Sequence, residues 1–398
     1  MCGEIKNHQE TPDPKDLTKD MNIMQIPLSG PDITELEKKY VLDVLDTTYL
    51  SLGPKLPEFE EKIASYVGTK YAVAVNSGTS GLHCCIKALE IGEGDWVITT
   101  PFSFVASANC ILFERAKPVF VDIDPQTYNI DVTKLEETIQ ALGPKASKLK
   151  ALLPVHVFGQ PCDMKQIEDI AGKYNLKLIE DACEALGAEY NGKKVGGFGD
   201  CGVFAFYPNK QMTTGEGGVI VTDDEQIASL CRSLRNQGRD EDGGWLAHAR
   251  LGYNYRLSDI HCALGLAQLE RIDEILMKRA QVADMYNQKL KDVQGIKIPF
   301  VSGNIKMSWF VYVIRLDERY NKDDRDRILV GLREKGIGCN NYFVPIHLQP
   351  FYINMFGYKN GDFPVTEHTA ERTIALPFYN NLQENQIDYV VKSLKTLL

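Results

Sequence analysis

The chain of 398 residues carries ten cysteines but no Cys-x-x-Cys pair among them. In a chain this long that argues against a disulfide framework and for reduced thiols in a cytoplasmic protein. His and Cys nowhere show metal-ligand spacing, so no metal is expected. No apolar run approaches the ~18 residues that a membrane-crossing helix needs. The opening stretch, MCGEIKNHQETPDPKDLTKD, has no apolar core and does not read as a signal peptide. Positive charge is also in short supply: 44 Lys and Arg against 54 Asp and Glu leave a net charge of −10. Nothing in that balance points to nucleic acid or an anionic membrane as a partner. It leaves room for a negatively charged small substrate, since a local basic pocket can sit in an acidic surface. Internal repeats and low-complexity tracts are absent.

What is present reads as an ordinary globular chain, with 44% hydrophobic and 25% charged residues. Its length suits one large and one small domain. Residues 1–25 read as a flexible polar tail. Thr34-x-x-Glu37 has the form of a capping box opening a helix, and a loop at 47–54 leads to a second helix that stops at Gly68. From Tyr71 onward strand and helix patterns alternate, as in a doubly wound α/β sheet. The strand candidates are 72–75, 96–99, 118–121, 151–154, 176–179, 203–206 and 219–221. Helix candidates lie at 82–89, 105–113, 132–141 and 164–174. Asn191-Gly192 signals a small hairpin. A long helix is expected from Ser258 into the 280s, bridging to a second domain. That domain reads as a strand at 309–314, a helix at 323–335 closed by Gly336, a strand at 337–341 and two further helices. The expected division is 26–270 for a large domain and 271–398 for a small α+β domain.

Three stretches carry chemistry. Residues 204–218 read FAFYPNKQMTTGEGG and set one lysine, Lys210, between apolar residues and a turn rich in Thr and Gly. Burying an ammonium is costly, and the neutral amine that burial favours can attack a carbonyl and form a Schiff base. A lysine that snorkels beside a glycine turn fits the same residues. Upstream, LKLIEDACEALGA places Asp181 at the end of a buried strand, where it can pair with a pyridinium nitrogen as pyridoxal phosphate requires. Further upstream, YAVAVNSGTSGL is a strand, a turn and a helix start whose backbone N–H groups favour a phosphate.

Together with TTPFSFVAS, PVHVFGQP, GYNYRLSDIHCALG and PIHLQPFY, these stretches resemble the DegT-type nucleotide-sugar aminotransferases from about Ile26 to the C-terminus. The resemblance implies the type I fold of pyridoxal-phosphate-dependent transferases: a mostly parallel central sheet flanked by helices, with a smaller α+β C-terminal domain. It implies that Lys210 holds the cofactor covalently and later moves protons, and that Asp181 keeps its ring nitrogen protonated. Gly78, Thr79 and Ser80 match the phosphate cradle, and Phe104 matches the aromatic residue that stacks on the ring. The family's serine five positions before the lysine is replaced by Ala205, so that phosphate contact is expected to be lost or replaced. Asn254 matches an asparagine that reaches the cofactor of the neighbouring subunit, which implies a homodimer with shared sites. Tyr49 and Ser51 lie in a loop that borders the substrate in the family, and His347 follows a motif near the substrate mouth. His156 reads as structural.

The most informative departure is Glu184, three residues after Asp181. Relatives that act at a sugar's C3 carry Gln or His there, whereas Glu resembles the subset that makes 4-amino sugars, such as perosamine synthases. The implied reaction moves an amino group, with L-glutamate as the expected donor, onto a nucleotide-linked 4-keto-6-deoxy sugar. A C3-specific sugar aminotransferase and a keto-cyclitol aminotransferase are the alternatives. A regulatory protein that keeps the fold without turnover is a third, and intact Lys210 and Asp181 argue against it.

Overall fold

Helices α1 (Glu35–Leu45) and α2 (Lys55–Val67) precede the sheet in the computed structural model, which describes residues 24–240, 244 and 246–398. The capping box at Thr34 is formed, with the Glu37 carboxylate accepting a hydrogen bond from the Thr34 N–H. Alternation then runs through β1 (Tyr71–Val75), α3 (Gly78–Ala88), β2 (Trp96–Thr99), α4 (Ala106–Phe113) and β3 (Lys117–Phe120). It continues through α5 (Val132–Ala141), β4 (Leu149–Leu152), α6 (Met164–Tyr174) and β5 (Lys177–Asp181). A hairpin of β6 (Glu189–Tyr190) and β7 (Lys193–Lys194) follows, turning at Asn191-Gly192 as expected. Next come β8 (Cys201–Ala205), β9 (Gly218–Thr222) and α7 (Glu225–Arg235). Asp131, Asp163 and Asp224 cap α5, α6 and α7 through hydrogen bonds to first-turn N–H groups. Each such cap stabilises its helix by about 1 kcal/mol.

The seven large strands form one sheet in the order β1-β9-β8-β5-β4-β2-β3. All neighbours are parallel except those of β9, which runs against both β1 and β8. The strands are apolar on both faces because helices cover both. Val73, Val203 and Ile220 join one buried cluster, while Ala74, Phe204 and Val219 join another.

The expected long helix from Ser258 is in fact two, α8 (Asp259–Glu270) and α9 (Ile272–Leu290). They break at Arg271, whose guanidinium pairs with Glu37 and Asp32. Strands β10 (Ile296–Lys297), β11 (Ile305–Lys306) and β12 (Tyr312–Leu316) lead to α10 (Lys322–Glu334). Helices α11 (Pro350–Phe356) and α12 (Pro364–Ala370), strand β13 (Thr373–Leu376) and helix α13 (Glu384–Lys395) complete the chain. Three helices therefore follow α10 where two were expected. The expected strand at 337–341 makes only isolated bridges, Ile337 to Ile26 and Asn340 to Ala375. Ile26 packs into the core formed by α9, α10, β12, β13 and α13, so the N-terminal end of the described chain belongs to the C-terminal unit. Of the expected tail, residues 1–23 lie outside the described residues. No helix among the described residues is long and apolar enough to cross a membrane.

Candidate active site

The ends of β5 and β8, the start of α3 and Phe310 converge on a cleft of about 450 Å³. That volume falls in the range of small-molecule sites, about 300–1,000 Å³. Lys210 lies in the turn joining β8 to β9, pinned by the Lys210 N–H to Tyr207 carbonyl bond (2.9 Å) and the Thr214 N–H to Phe206 carbonyl bond (3.0 Å). Its Nζ points into the cleft, 3.9 Å from the centroid of the Phe310 ring and 3.6 Å from Glu184 Oε1. The other Glu184 oxygen accepts a hydrogen bond from the Phe158 N–H at 2.8 Å. Burial pushes the Glu184 carboxyl pKa up, and the Lys210 charge only partly offsets this. A buried acid beside a basic amine can hold or pass a proton.

Asp181 sits at the last position of β5 with its carboxylate facing the cleft. Oδ2 accepts a hydrogen bond from the Ser107 hydroxyl at 2.6 Å, and Oδ1 accepts one from the Cys183 N–H at 3.2 Å. Each carboxylate oxygen keeps a free lone pair for a further N–H donor. Glu180, one residue earlier, points to the opposite face. There it accepts hydrogen bonds from the N–H groups of Gly196, Phe198 and Gly199 and from His156 Nε2. Burial raises its pKa, but His156 and the backbone donors outweigh this and hold it below the usual carboxylate range. The other ring nitrogen of His156 accepts from the Cys162 N–H, so this histidine is structural, as its sequence context suggested.

At the start of α3, Ser77 is the cap and accepts from the Ser80 N–H. Ser77, Gly78 and Thr79 line the cleft. Gly78 packs tightly: a Cβ there would lie 2.7 Å from Cys183 Sγ and 2.8 Å from Ala205 Cβ. Ser80 corrects an expectation, because its hydroxyl turns inward to Asn76 Oδ1 (2.6 Å) and is unavailable to a phosphate. Ser77, which the sequence reading passed over, stands at the cleft in its place. Phe104 is 64% exposed and lines the cleft, free to lie against a ring.

Four expected site residues lie elsewhere. His347 is fully buried, donates or accepts at Glu367 (2.9 Å) and packs on Phe363, so it makes no contact with the cleft. Tyr49 is 61% exposed on its loop, and Ser51 bridges to Ser258, so neither lines the cleft of its own chain. Asn254 is also exposed and outside that cleft, with its carbonyl beside the Asn76 side chain. Ser107, Gln211 and Phe310 were missed. Ser107 closes the quoted TTPFSFVAS stretch, and Gln211 follows the lysine. Phe310 had no local signal, since it comes from another part of the chain.

Pyridoxal phosphate fits this set. Gly78 and Thr79 with Ser77 would hold its phosphate at a helix start, Asp181 its ring nitrogen, Phe104 its ring face, and Lys210 its aldehyde carbon. When bound, the cofactor supplies an electron sink for the carbon that gains or loses the amino group.

The DegT/DnrJ/EryC1/StrS aminotransferase family matches residues 31–395, and the chain belongs to that family. It is a pyridoxal-phosphate-dependent aminotransferase. The chain is 40% identical to an uncharacterized protein of Methanocaldococcus jannaschii, over 94% of this chain and 97% of that one. It is 39% identical to the GDP-perosamine synthase of Caulobacter vibrioides, over 95% and 99%. Among solved structures, PseC of Helicobacter pylori, an aminotransferase of pseudoaminic acid biosynthesis, superposes with a TM-score of 0.87 at 30% identity, covering 94% and 99%.

Proposed function

We propose that this aminotransferase moves the amino group of L-glutamate onto a nucleotide-linked 4-keto-6-deoxy sugar and yields the 4-amino sugar. The observation that carries the reading is Glu184: a buried carboxyl, raised in pKa, 3.6 Å from the amine of Lys210. A protonated Glu184 could donate a hydrogen bond to a phenolic oxygen of the cofactor, where a charged one would be repelled. The keto carbon must lie within reach of Lys210, so the side chains around that amine decide which carbon of the sugar can be presented. The likeness to GDP-perosamine synthases supports the 4-position.

In this scheme Lys210 would hold the cofactor and carry the proton at the reacting carbon, and Asp181 would hold the ring nitrogen in its protonated form. Phe104 and Phe310 exclude water from the reacting atoms. Tyr49, Ser51 and Asn254 lie outside their own cleft because they serve the partner's site in a homodimer. Leu42, Leu45, Tyr49, Leu50 and Leu52, all 45–61% exposed, support such an interface. Nine free thiols among the described residues support a cytoplasmic setting. His347 has no part in substrate binding here.

Turnover with L-glutamate and a panel of 4-keto and 3-keto nucleotide sugars, with NMR of the product, tests the reading. Nitrogen at C4 is expected. Nitrogen at C3, or amination of a free cyclitol in preference to any sugar nucleotide, overturns it.

A further inference from the structure

Arg279, midway along α9, is 2% exposed, and among the described residues no carboxylate pairs with it. A guanidinium buried without a counter-charge is costly, and burial alone pulls it down to about 10. Its donors are instead spent on four oxygens. Nε donates to the Trp309 carbonyl (2.7 Å) and Nη1 to Asn380 Oδ1 (2.9 Å). Nη2 donates to the carbonyls of Phe310 (2.7 Å) and Asn209 (3.4 Å). Asn209 immediately precedes Lys210. On the other side of the lysine, Gln211 Nε2 donates to the carbonyls of Glu184 (2.6 Å) and Ser308 (2.9 Å). Both neighbours of Lys210 are thus tied to residues 308–310, the segment whose Phe310 ring lies against the lysine amine.

We propose that Arg279 is a positioning residue for amino transfer, fixing the Lys210 turn against Phe310 so that the amine stays between that ring and the Glu184 carboxyl. A fork of several planar donors can hold three backbone carbonyls and an amide in one geometry, which a single ammonium cannot. A brace that only joined α9 to the neighbouring core would not need to reach the residue before the lysine. Nor would it need a charge, since apolar packing would serve at lower cost. The inference rests on the reading of Lys210 as the residue that carries the cofactor.

Arg279→Lys in the holoenzyme tests it, because the charge is kept and only the geometry changes. The visible circular dichroism of the lysine-bound cofactor, per bound cofactor, reports how the ring is seated against its lysine. That signal is expected to fall by about half or more. kcat is expected to drop about tenfold or more with KM for glutamate little changed, as misplacement of a reacting group does. If the variant does not fold, Asn380→Ser removes one acceptor of the same guanidinium, and a smaller change of the same sign is expected. A lower melting temperature with the dichroism and kcat of the native enzyme, in whichever variant folds, overturns the inference. Borohydride reduction and peptide mapping of the native holoenzyme separate the two readings. Label on another lysine overturns the assignment of Lys210 and this inference with it, whereas label on Lys210 with unchanged dichroism in the variants overturns the role of Arg279 alone.

Discussion

Glu184 and Lys210 face each other across 3.6 Å at the floor of the cleft, the acid raised in pKa by burial and the amine backed by the Phe310 ring. The raised carboxyl carries a stability consequence. An acid whose pKa is higher in the folded chain than in the unfolded one binds its proton more tightly when folded. It therefore costs stability as pH rises from the ordinary glutamate value of 4.5, and costs nothing below it.

Glu184→Gln should accordingly gain stability over the native apoprotein as pH climbs from about 4.5 toward neutrality, with the difference vanishing at lower pH. Thermal melts of both proteins across that range measure it. A difference that stays constant with pH would mean that Glu184 titrates normally in the folded chain.

Lys210→Ala should lose the borohydride-reducible cofactor adduct and all transamination while melting within a few degrees of the native protein. The side chain ends in the cleft, and the buried cluster around Phe204 and Phe206 does not depend on it. Retention of the adduct at native levels would move the covalent role to another lysine.

Asp181→Asn should still bind the cofactor weakly but lose activity by about a hundredfold or more, the scale of a lost acid–base contribution. An amide can keep the Ser107 hydrogen bond yet cannot hold a ring nitrogen protonated by charge. Steady-state rates at saturating cofactor decide this, and near-native turnover would assign the ring nitrogen to another group.

Asn254→Ala should weaken cofactor binding, and mixing it with Lys210→Ala chains should restore part of the activity. A hybrid dimer contains one site with both residues intact. The measurement is activity recovered after demonstrated subunit exchange, and no recovery after exchange would confine each site to a single chain.

The central sheet was legible because each of its strands is a short apolar run bounded by turn residues, and all seven overlap the runs read for them, β4 lying two residues earlier than its run. The break between α8 and α9 was not legible. No glycine or proline marks it, and it is imposed by carboxylates more than two hundred residues earlier that hold Arg271. The stretch at 337–341 looked like a strand by composition, but it pairs only through single bridges at Ile337 and Asn340. At the site, Lys210, Asp181 and Glu184 could be found because each sits at a fixed offset within one continuous motif. Ser80 misled because spacing alone cannot say whether a hydroxyl faces out of a helix or back to Asn76. His347 misled in the same way: its motif gave its place in the chain but not its burial against Glu367 and Phe363. Phe310 and Arg279 act through tertiary contacts that leave no trace in local sequence.

The opposed carboxylates at the end of β5 set a limit on how this chain can change. Glu180 locks the 196–199 loop on one face while Asp181 serves the cleft on the other, and only the alternation of a pleated strand keeps them apart. Loss or gain of a single residue within Lys177–Ile179 turns each acid to the other's face: a loss brings the shorter acid to the three backbone donors and a gain brings the longer acid to the cleft, and either leaves one of the two sites without its own acid. A library of single-codon deletions and insertions scored for activity should therefore show this strand intolerant of any change in length, while the exposed turn Gly143–Lys148 accepts some. Active variants with an altered length of β5 would show that the two acids are interchangeable.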